Sequence, residues 1–280
     1  MWISKPTWSN HIPVFKTKLG FDVKEYRYYK PETRGLDFEG MIEDLATATP
    51  GSWVLLHTCA HNPTGVDLSV DQWKQLAKMF KEKQLRAFFD TAYQGFVTGD
   101  LVKDGQSIRI FVEEGLNIVV AQSFAKVMGL YGERVGALHV FCDTPETAEN
   151  VVSQFRILVR INYSFPPIHG ARIASLILNK EELRNQWLQE LVNVTNRIAK
   201  MRKLLKEALV ANGAPGSWDH ITDQIGMFSF TGLTPEQSTA MVEEHSIYMT
   251  ANGRISICGL TEKNVQYVAD CMKKCIEKYP

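Results

Sequence analysis

The sequence predicts an α/β fold with a largely parallel sheet, followed by a smaller C-terminal α+β region. Three observations predict it. Short β-rich runs alternate with helical patterns up to about residue 180. Polar clusters follow the β-rich runs directly, as happens where strands of an open sheet end. After residue 180 one long amphipathic helix is followed by short strands and two further helices.

The elements follow in order. Trp53-Val54-Leu55-Leu56-His57 is an apolar run of strand length. Ser69-Val70-Asp71-Gln72 reads as a capping box, and Trp73, Leu76, Ala77 and Phe80 then fall on one helix face. Ala87–Asp90, Asn117–Gln122 and Gly136–Phe141 read as further strands. Leu183, Trp187, Leu191, Val194, Ile198, Met201 and Leu205 recur at steps of four and three, ending near Asn212-Gly213, a C-cap. Beyond lie the runs Met227–Phe230, Ile247–Met249 and Ile255–Ile257, a helix opened by Thr234-Pro235-Glu236-Gln237, and one with Val265, Val268, Ala269 and Met272 on a stripe. The expected division is a large domain over 1–193 and a small one over 194–280, joined by a long helix near 181–212.

Composition bounds the function. The 280 residues are 45% hydrophobic and 22% charged, enough for a sizeable core. Lysine plus arginine and aspartate plus glutamate are both 31, so no single-sign field points to nucleic acid or an anionic membrane. No apolar run approaches the roughly 18 residues of a membrane span. Met1–Trp8 lacks the pattern of a secretory signal. Five scattered cysteines read as reduced thiols. Cys271 and Cys275 share a helix face but have no further ligand nearby, so no metal is expected.

Four polar clusters hold the candidate chemistry: His57–Gly65, Phe89–Phe96, Ser123–Lys126 running on to Gly132–Gly136, and Asn252–Ser256. Singly, each has a plain reading. His57, Cys59 and His61 share a strand face, yet Asn62-Pro63-Thr64-Gly65 is turn chemistry, so hydrogen-bonded histidines outweigh a metal site. Asp90 alone reads as a turn cap and Lys126 as a solvated lysine. But Lys126 follows the apolar strand directly, where burial lowers a lysine's pKa and makes it a nucleophilic amine. Together the clusters match the needs of pyridoxal 5'-phosphate (PLP). These are a Schiff-base lysine (Lys126), a carboxylate for the pyridinium nitrogen (Asp90), phenolate partners (Tyr93, Asn62) and phosphate ligands (Ser123, Arg134). Spacing leaves their convergence open.

Five motifs then resemble the aspartate aminotransferase subgroup of fold-type I PLP enzymes, in that family's order and spacing. They are His61–Gly65, Asp90–Phe96, Ser123–Lys126, Gly129–Gly136 and Gly253–Ser256, within a likeness that runs from Pro6–His11 to the last helix. The resemblance implies that Trp8 stacks on the cofactor ring and that His11 stands beside Asp90, with His57 also behind the site. Lys126 is the matching covalent lysine and the base and acid of the proton shift. Arg254 matches the fork for the substrate α-carboxylate, with Trp8 and Asn62 also at the substrate. Arg160 matches the arginine for the side-chain carboxylate, reaching a neighbouring subunit's site. Arg160 also has a plain reading, an exposed arginine on a helix over Glu149–Val159.

The implied activity is amino transfer between L-aspartate and 2-oxoglutarate. An aromatic or broad specificity, or a catalytically impaired form, are the alternatives. The partners implied are amino acids, 2-oxo acids and a second copy in a homodimer. The Val159–Ser164 stretch is closer to cytosolic than to mitochondrial members, so a cytoplasmic location is expected, with a mitochondrial one as the alternative. The family's chain begins well upstream, so the resemblance implies that roughly its first third, with a Ser-Gly-Thr-type phosphate loop, has no counterpart here. Two departures fall inside motifs. Val127 and Phe165 stand where the family has asparagine.

Overall fold

The computed structural model describes residues Met1 to Pro280. The strands are β1 (Trp2–Lys5), β2 (Lys24–Arg27), β3 (Tyr29–Lys30), β4 (Gly35–Leu36), β5 (Trp53–His57), β6 (Arg86–Thr91), β7 (Ile118–Ser123), β8 (Gly136–Val140), β9 (Phe228–Phe230) and β10 (Arg254–Ser256). Six form one sheet in the order β2-β1-β5-β6-β7-β8. All neighbours in it are parallel except β7 and β8. The expected mostly parallel α/β sheet is therefore present, with one antiparallel edge strand. Strands β1 and β2 carry no periodic signal in the sequence. They pair in register with each other, Trp2 to Lys24 through Lys5 to Arg27.

Parallel strands need crossovers, and helices supply them on the sheet's faces. The helix Val70–Glu82 joins β5 to β6 and starts with the expected capping box between Ser69 and Gln72. It buries Trp73, Leu76, Ala77 and Phe80, the stripe read from sequence. These meet Phe89 of β6 and Phe111 of helix Gln106–Glu113, whose ring stands edge-on to Phe80 and Phe89 with centroids 5.1 Å away in both cases. Edge-to-face pairs of this kind add about 0.5–1.5 kcal/mol beyond area burial.

A second core surrounds the C-terminal half of the helix Glu181–Ala211, from Ile198 to Leu209, with Trp218, Ile221, Met241, Ile255 and Met272. Its helix Pro235–His245 also begins with a capping box, Thr234 to Gln237. A third, smaller cluster, including Tyr93, Phe96, Phe124, Trp187 and Leu191, lies between the sheet and the long helix. The expected strand at Ile247–Met249 is absent. Tyr248 is 85% exposed, and β9 pairs with β10 instead, so this run finds no partner ladder. Ile247 and Met249 rest against the second core without one. The expected Ile255–Ile257 strand begins one residue earlier, at Arg254, and ends at Ser256, where a short 3-10 turn takes over. The helix read over Glu149–Val159 runs from Pro145 to Tyr163. No helix is long and apolar enough to cross a membrane.

Candidate active site

Register places the candidate groups. His57, the last residue of β5, pairs with Asp90 on β6, and Asp90 pairs with Ala121 on β7. Three parallel strands thus end level with one another, and the polar residues after them face a common crevice. After β7 the Ser123 hydroxyl accepts the Ala125 N–H at 3.2 Å, and Gly129 N–H returns to the Lys126 carbonyl at 3.1 Å. This tight turn carries Lys126. The long helix holds it from behind, where Trp187 donates its indole N–H to the Val127 carbonyl at 2.8 Å.

The Lys126 ammonium has no hydrogen-bond or ion-pair partner. It lies 5.3 Å from the centre of the Tyr93 ring and 5.6 Å from that of Tyr131. Burial lowers its pKa, and Arg134 lowers it further, while Asp90 pulls it back up. A half-buried amine with a lowered pKa is a better nucleophile than a solvated one.

Asp90 ends a directed chain of hydrogen bonds. His57 Nδ1 accepts the Asn62 amide N–H at 3.1 Å, so its proton is on Nε2, 3.4 Å from the Thr7 hydroxyl. Thr7 lies 2.8 Å from His11 Nδ1, and His11 Nε2 donates to Asp90 Oδ2 at 3.0 Å. Thr7 therefore accepts from His57 and donates to His11. Burial pushes the Asp90 carboxyl up. The His11 hydrogen bond, the neighbouring imidazoles of His57 and His11 and the Lys126 ammonium together outweigh that, so it is held below the usual carboxylate range.

Asn62 connects the sheet to the C-terminal region. Its Oδ1 accepts from Arg254 Nη1 at 2.8 Å, and the Arg254 guanidinium lies over Phe228, 4.3 Å from the ring centre. Phe228 stands edge-on to Tyr93. Burial pushes the Tyr93 hydroxyl well above its ordinary pKa, aided by Tyr131 and Asp90 and opposed by Arg254 and Asn62. The loop bearing Asn62 passes close to the C-terminal region at Gly65, where φ is +66° and a Cβ would come within 2.8 Å of the Ile225 carbonyl oxygen. Ile225 N–H donates to the Gly65 carbonyl at 2.7 Å. Only glycine permits that approach without strain.

The structure thus brings Lys126, Asp90, His11, His57, Asn62, Tyr93 and Arg254 together. Trp8 is 38% exposed, with its ring edge-on to His11 at 5.2 Å. Arg134 is exposed, adopts a left-handed φ of +51° and donates to the Tyr131 carbonyl at 3.2 Å. Arg160 is not part of this group. It is exposed on the helix Pro145–Tyr163, has no partner within the chain, and lines a separate cavity of about 480 Å³ with Phe155, Val159 and Phe165. Sequence reasoning assigned no role to Thr7, Tyr131 or Phe228. Tyr131 lies inside the Gly129–Gly136 motif, and Thr7 directly precedes Trp8. Phe228 lies in the run Met227–Phe230, which marks a strand but not a place at the site. No three or more histidine, cysteine or acidic side chains come together as a metal-binding group.

The buried histidines give the molecule an acid limit. Burial drives His57 and His61 well below the ordinary 6.5, so both stay neutral when folded and take up protons on unfolding. A group with a depressed histidine pKa costs stability progressively as pH falls below the unfolded value. His220, lowered to about 4, adds to this, and Asp67, raised to about 6, acts in the opposite sense and nearly offsets it. The two stacked histidines then remove on the order of 3 kcal/mol between pH 6.5 and 5. Urea unfolding at the two pH values checks this. Equal stability would contradict it.

The sheet crevice thus holds an unpaired lysine, an ionised carboxylate and an arginine. The profile of "Aminotransferase class I and II" matches residues 1–271, and the chain belongs to that family. It is 52% identical over 278 residues to "Aspartate aminotransferase 3, chloroplastic" of Arabidopsis thaliana, covering 99% of this chain and 62% of that relative. It is 43% identical to the solved aspartate aminotransferase of Saccharomyces cerevisiae cytoplasm, with a TM-score of 0.96, covering 100% of this chain and 70% of the other. The aromatic-amino-acid aminotransferase of Burkholderia pseudomallei, solved covalently bound to pyridoxal phosphate, is 42% identical at a TM-score of 0.95. That match covers 98% of this chain and 68% of the other. The chain therefore spans about two thirds of the length of these relatives.

Proposed function

We propose that this chain carries the site of a PLP-dependent aspartate aminotransferase, exchanging the amino group between L-aspartate and 2-oxoglutarate. The observation that supports it most is the unpartnered Lys126 ammonium beside Tyr93, with Asp90 held ionised at the end of the histidine chain. These residues fit PLP. Lys126 would hold it covalently, Asp90 its ring nitrogen, Tyr93 and Asn62 its phenolate oxygen, and Ser123 and Arg134 its phosphate, with Trp8 against the ring. When bound, PLP supplies an electron-poor ring that accepts the electron pair left when a Cα proton is removed.

The protein's share is positioning and proton transfer. The His57–Thr7–His11 chain helps keep Asp90 ionised, and the ionised Asp90 would hold a proton on the cofactor's ring nitrogen. Arg254, steadied by Asn62 and Phe228, forks onto the α-carboxylate and fixes which Cα substituent faces Lys126. Once released from the cofactor, the Lys126 amine would take the Cα proton as base and give a proton back as acid. An assay of oxaloacetate formation from aspartate and 2-oxoglutarate with added PLP tests this. A folded chain with no turnover would reject it.

Arg160 fits the side-chain carboxylate of a dicarboxylate substrate, contributed to the site of a second copy in a homodimer. The same helix region supports that arrangement, because Ile157, Leu158, Ile161 and Phe165 are all more than half exposed. The division into domains over 1–193 and 194–280 and a cytoplasmic location belong to the same proposal.

A second reading, broader specificity, is favoured by one residue. Phe165 lines the Arg160 cavity and is 79% exposed, offering an apolar wall beside the guanidinium. Apolar pocket changes are worth about 1–3 kcal/mol of discrimination. The Phe165→Asn variant is expected to raise the ratio of kcat/KM for aspartate over phenylalanine by about tenfold. An unchanged ratio would remove Phe165 from specificity.

A further inference from the structure

We propose that Asp67 is a positioning residue, whose carboxylate clamps the loop after β5 and thereby sets Asn62 against Tyr93 and Arg254. The inference takes the aminotransferase reading of this site as given. Asp67 Oδ2 accepts the Ala60 N–H at 2.6 Å, and Oδ1 accepts the His61 N–H at 2.9 Å. Both oxygens are thus used on successive amides, immediately before Asn62. Ala60 is held at a left-handed φ of +49°, which a residue with a Cβ adopts only when its surroundings impose it.

The clamp works on a loop with little freedom elsewhere. His61 is sandwiched between the Tyr28 ring at 3.9 Å and the His57 ring at 4.2 Å, with the Ser4 and Thr64 hydroxyls at its two nitrogens. Gly65 N–H closes back onto the His61 carbonyl at 2.7 Å. The amides of Ala60 and His61 are the remaining freedom before Asn62, and Asp67 takes both. Asn62 in turn accepts from Arg254 and donates its N–H to His57, so its placement reaches the substrate fork and the histidine chain together.

The clamp has a cost that sets it apart from ordinary loop closure. The ionisable groups whose charge bears on Asp67 are Cys59 on its own loop, Tyr28 before β3 and Asp104 at the end of the short helix Leu101–Asp104, while His61 meets it through its backbone N–H. None of these is a lysine or arginine. Burial pushes the carboxyl up to about 6, only partly offset by the two amides. Ionised, it accepts both N–H groups. Protonated, one oxygen becomes a hydroxyl and a poorer acceptor.

Hydrogen exchange of the full 280-residue chain, with and without added PLP, tests the assignment. In the Asp67→Asn variant the amides over 60–62 are expected to exchange about tenfold faster, because the amide group has one acceptor oxygen where the carboxylate has two. The Gly95–Thr98 loop, held by Asp104, should not change. With PLP bound, the pH midpoint of the visible band should move by about half a unit, since Asn62 neighbours the phenolate oxygen. A second measurement needs no variant. In the unsubstituted chain, protection over 60–62, corrected for intrinsic rates, should fall as pH drops through about 6. Unchanged exchange in both experiments overturns the proposal. So does faster exchange with an unmoved band, which would leave Asp67 purely structural. If the unsubstituted chain takes up no PLP, the aminotransferase reading fails instead, and the exchange comparison alone decides the clamp.

Discussion

The Lys126→Ala variant is expected to lose amino transfer by a factor on the order of 10⁴ or more in kcat, with the fold intact. Two roles disappear at once. The amine is an unpartnered nucleophile in the crevice, beside the rings of Tyr93 and Tyr131. In the proposed reaction it is also the group that takes a proton from Cα and gives one back. General acid–base catalysis alone is worth about 10²–10⁴. The side chain makes no hydrogen bond and no ion pair, so its removal should cost little stability. Lys126→Arg keeps the positive charge but not a nucleophilic amine, and should be nearly as inactive. Stopped assays with circular dichroism on the same samples check both statements. Activity within tenfold of the parent would move the chemistry to another residue.

Asp90→Ala is the second large effect. Its carboxylate accepts from His11 and stands at the end of the chain through Thr7 to His57. Without it nothing in the crevice would keep the cofactor's ring nitrogen protonated, so a loss of roughly 10² to 10⁴ in kcat/KM is expected. Asp90→Glu keeps the charge and should lose less. The group also matters to stability, with a definite sign. Its folded pKa lies below the ordinary 3.8, so its contribution is present above that value and is lost as pH falls through the folded value. The variant should therefore lose stability at neutral pH and show a shallower acid transition below about pH 4. Equal kcat/KM in parent and variant would sever Asp90 from the reaction.

What the sequence displays is local. The strand runs before His57, Asp90 and Ser123, the Ser69 capping box and the Trp73–Phe80 stripe all depend on neighbours a few residues away, and all stand in the fold. Strand ends then put polar residues into a shared crevice, so the candidate cluster follows from the same runs. The links inside the site are different. Asn62 and Arg254 are 192 residues apart, and Asp90 and His11 are 79 apart, so no window of sequence contains either pair. Thr7 and Phe228 lie in segments the sequence marks, but their roles at the site come only through distant partners. Ile247–Met249 shows the converse error. Its residues suit a strand, but β9 and β10 already satisfy each other, and tertiary pairing overrides propensity. The helix Pro145–Tyr163 bears Arg160 but buries none of its residues within this chain, so its role depends on what lies against it.

The central claim is that the Lys126 amine bonds PLP. Borohydride reduction of the PLP-loaded chain, followed by peptide mapping, measures this directly. The account predicts one phosphopyridoxyl group, on the peptide Ser123–Arg134 at Lys126, and none in the Lys126→Ala variant. Label distributed over several surface lysines, or absent from residue 126, would contradict it.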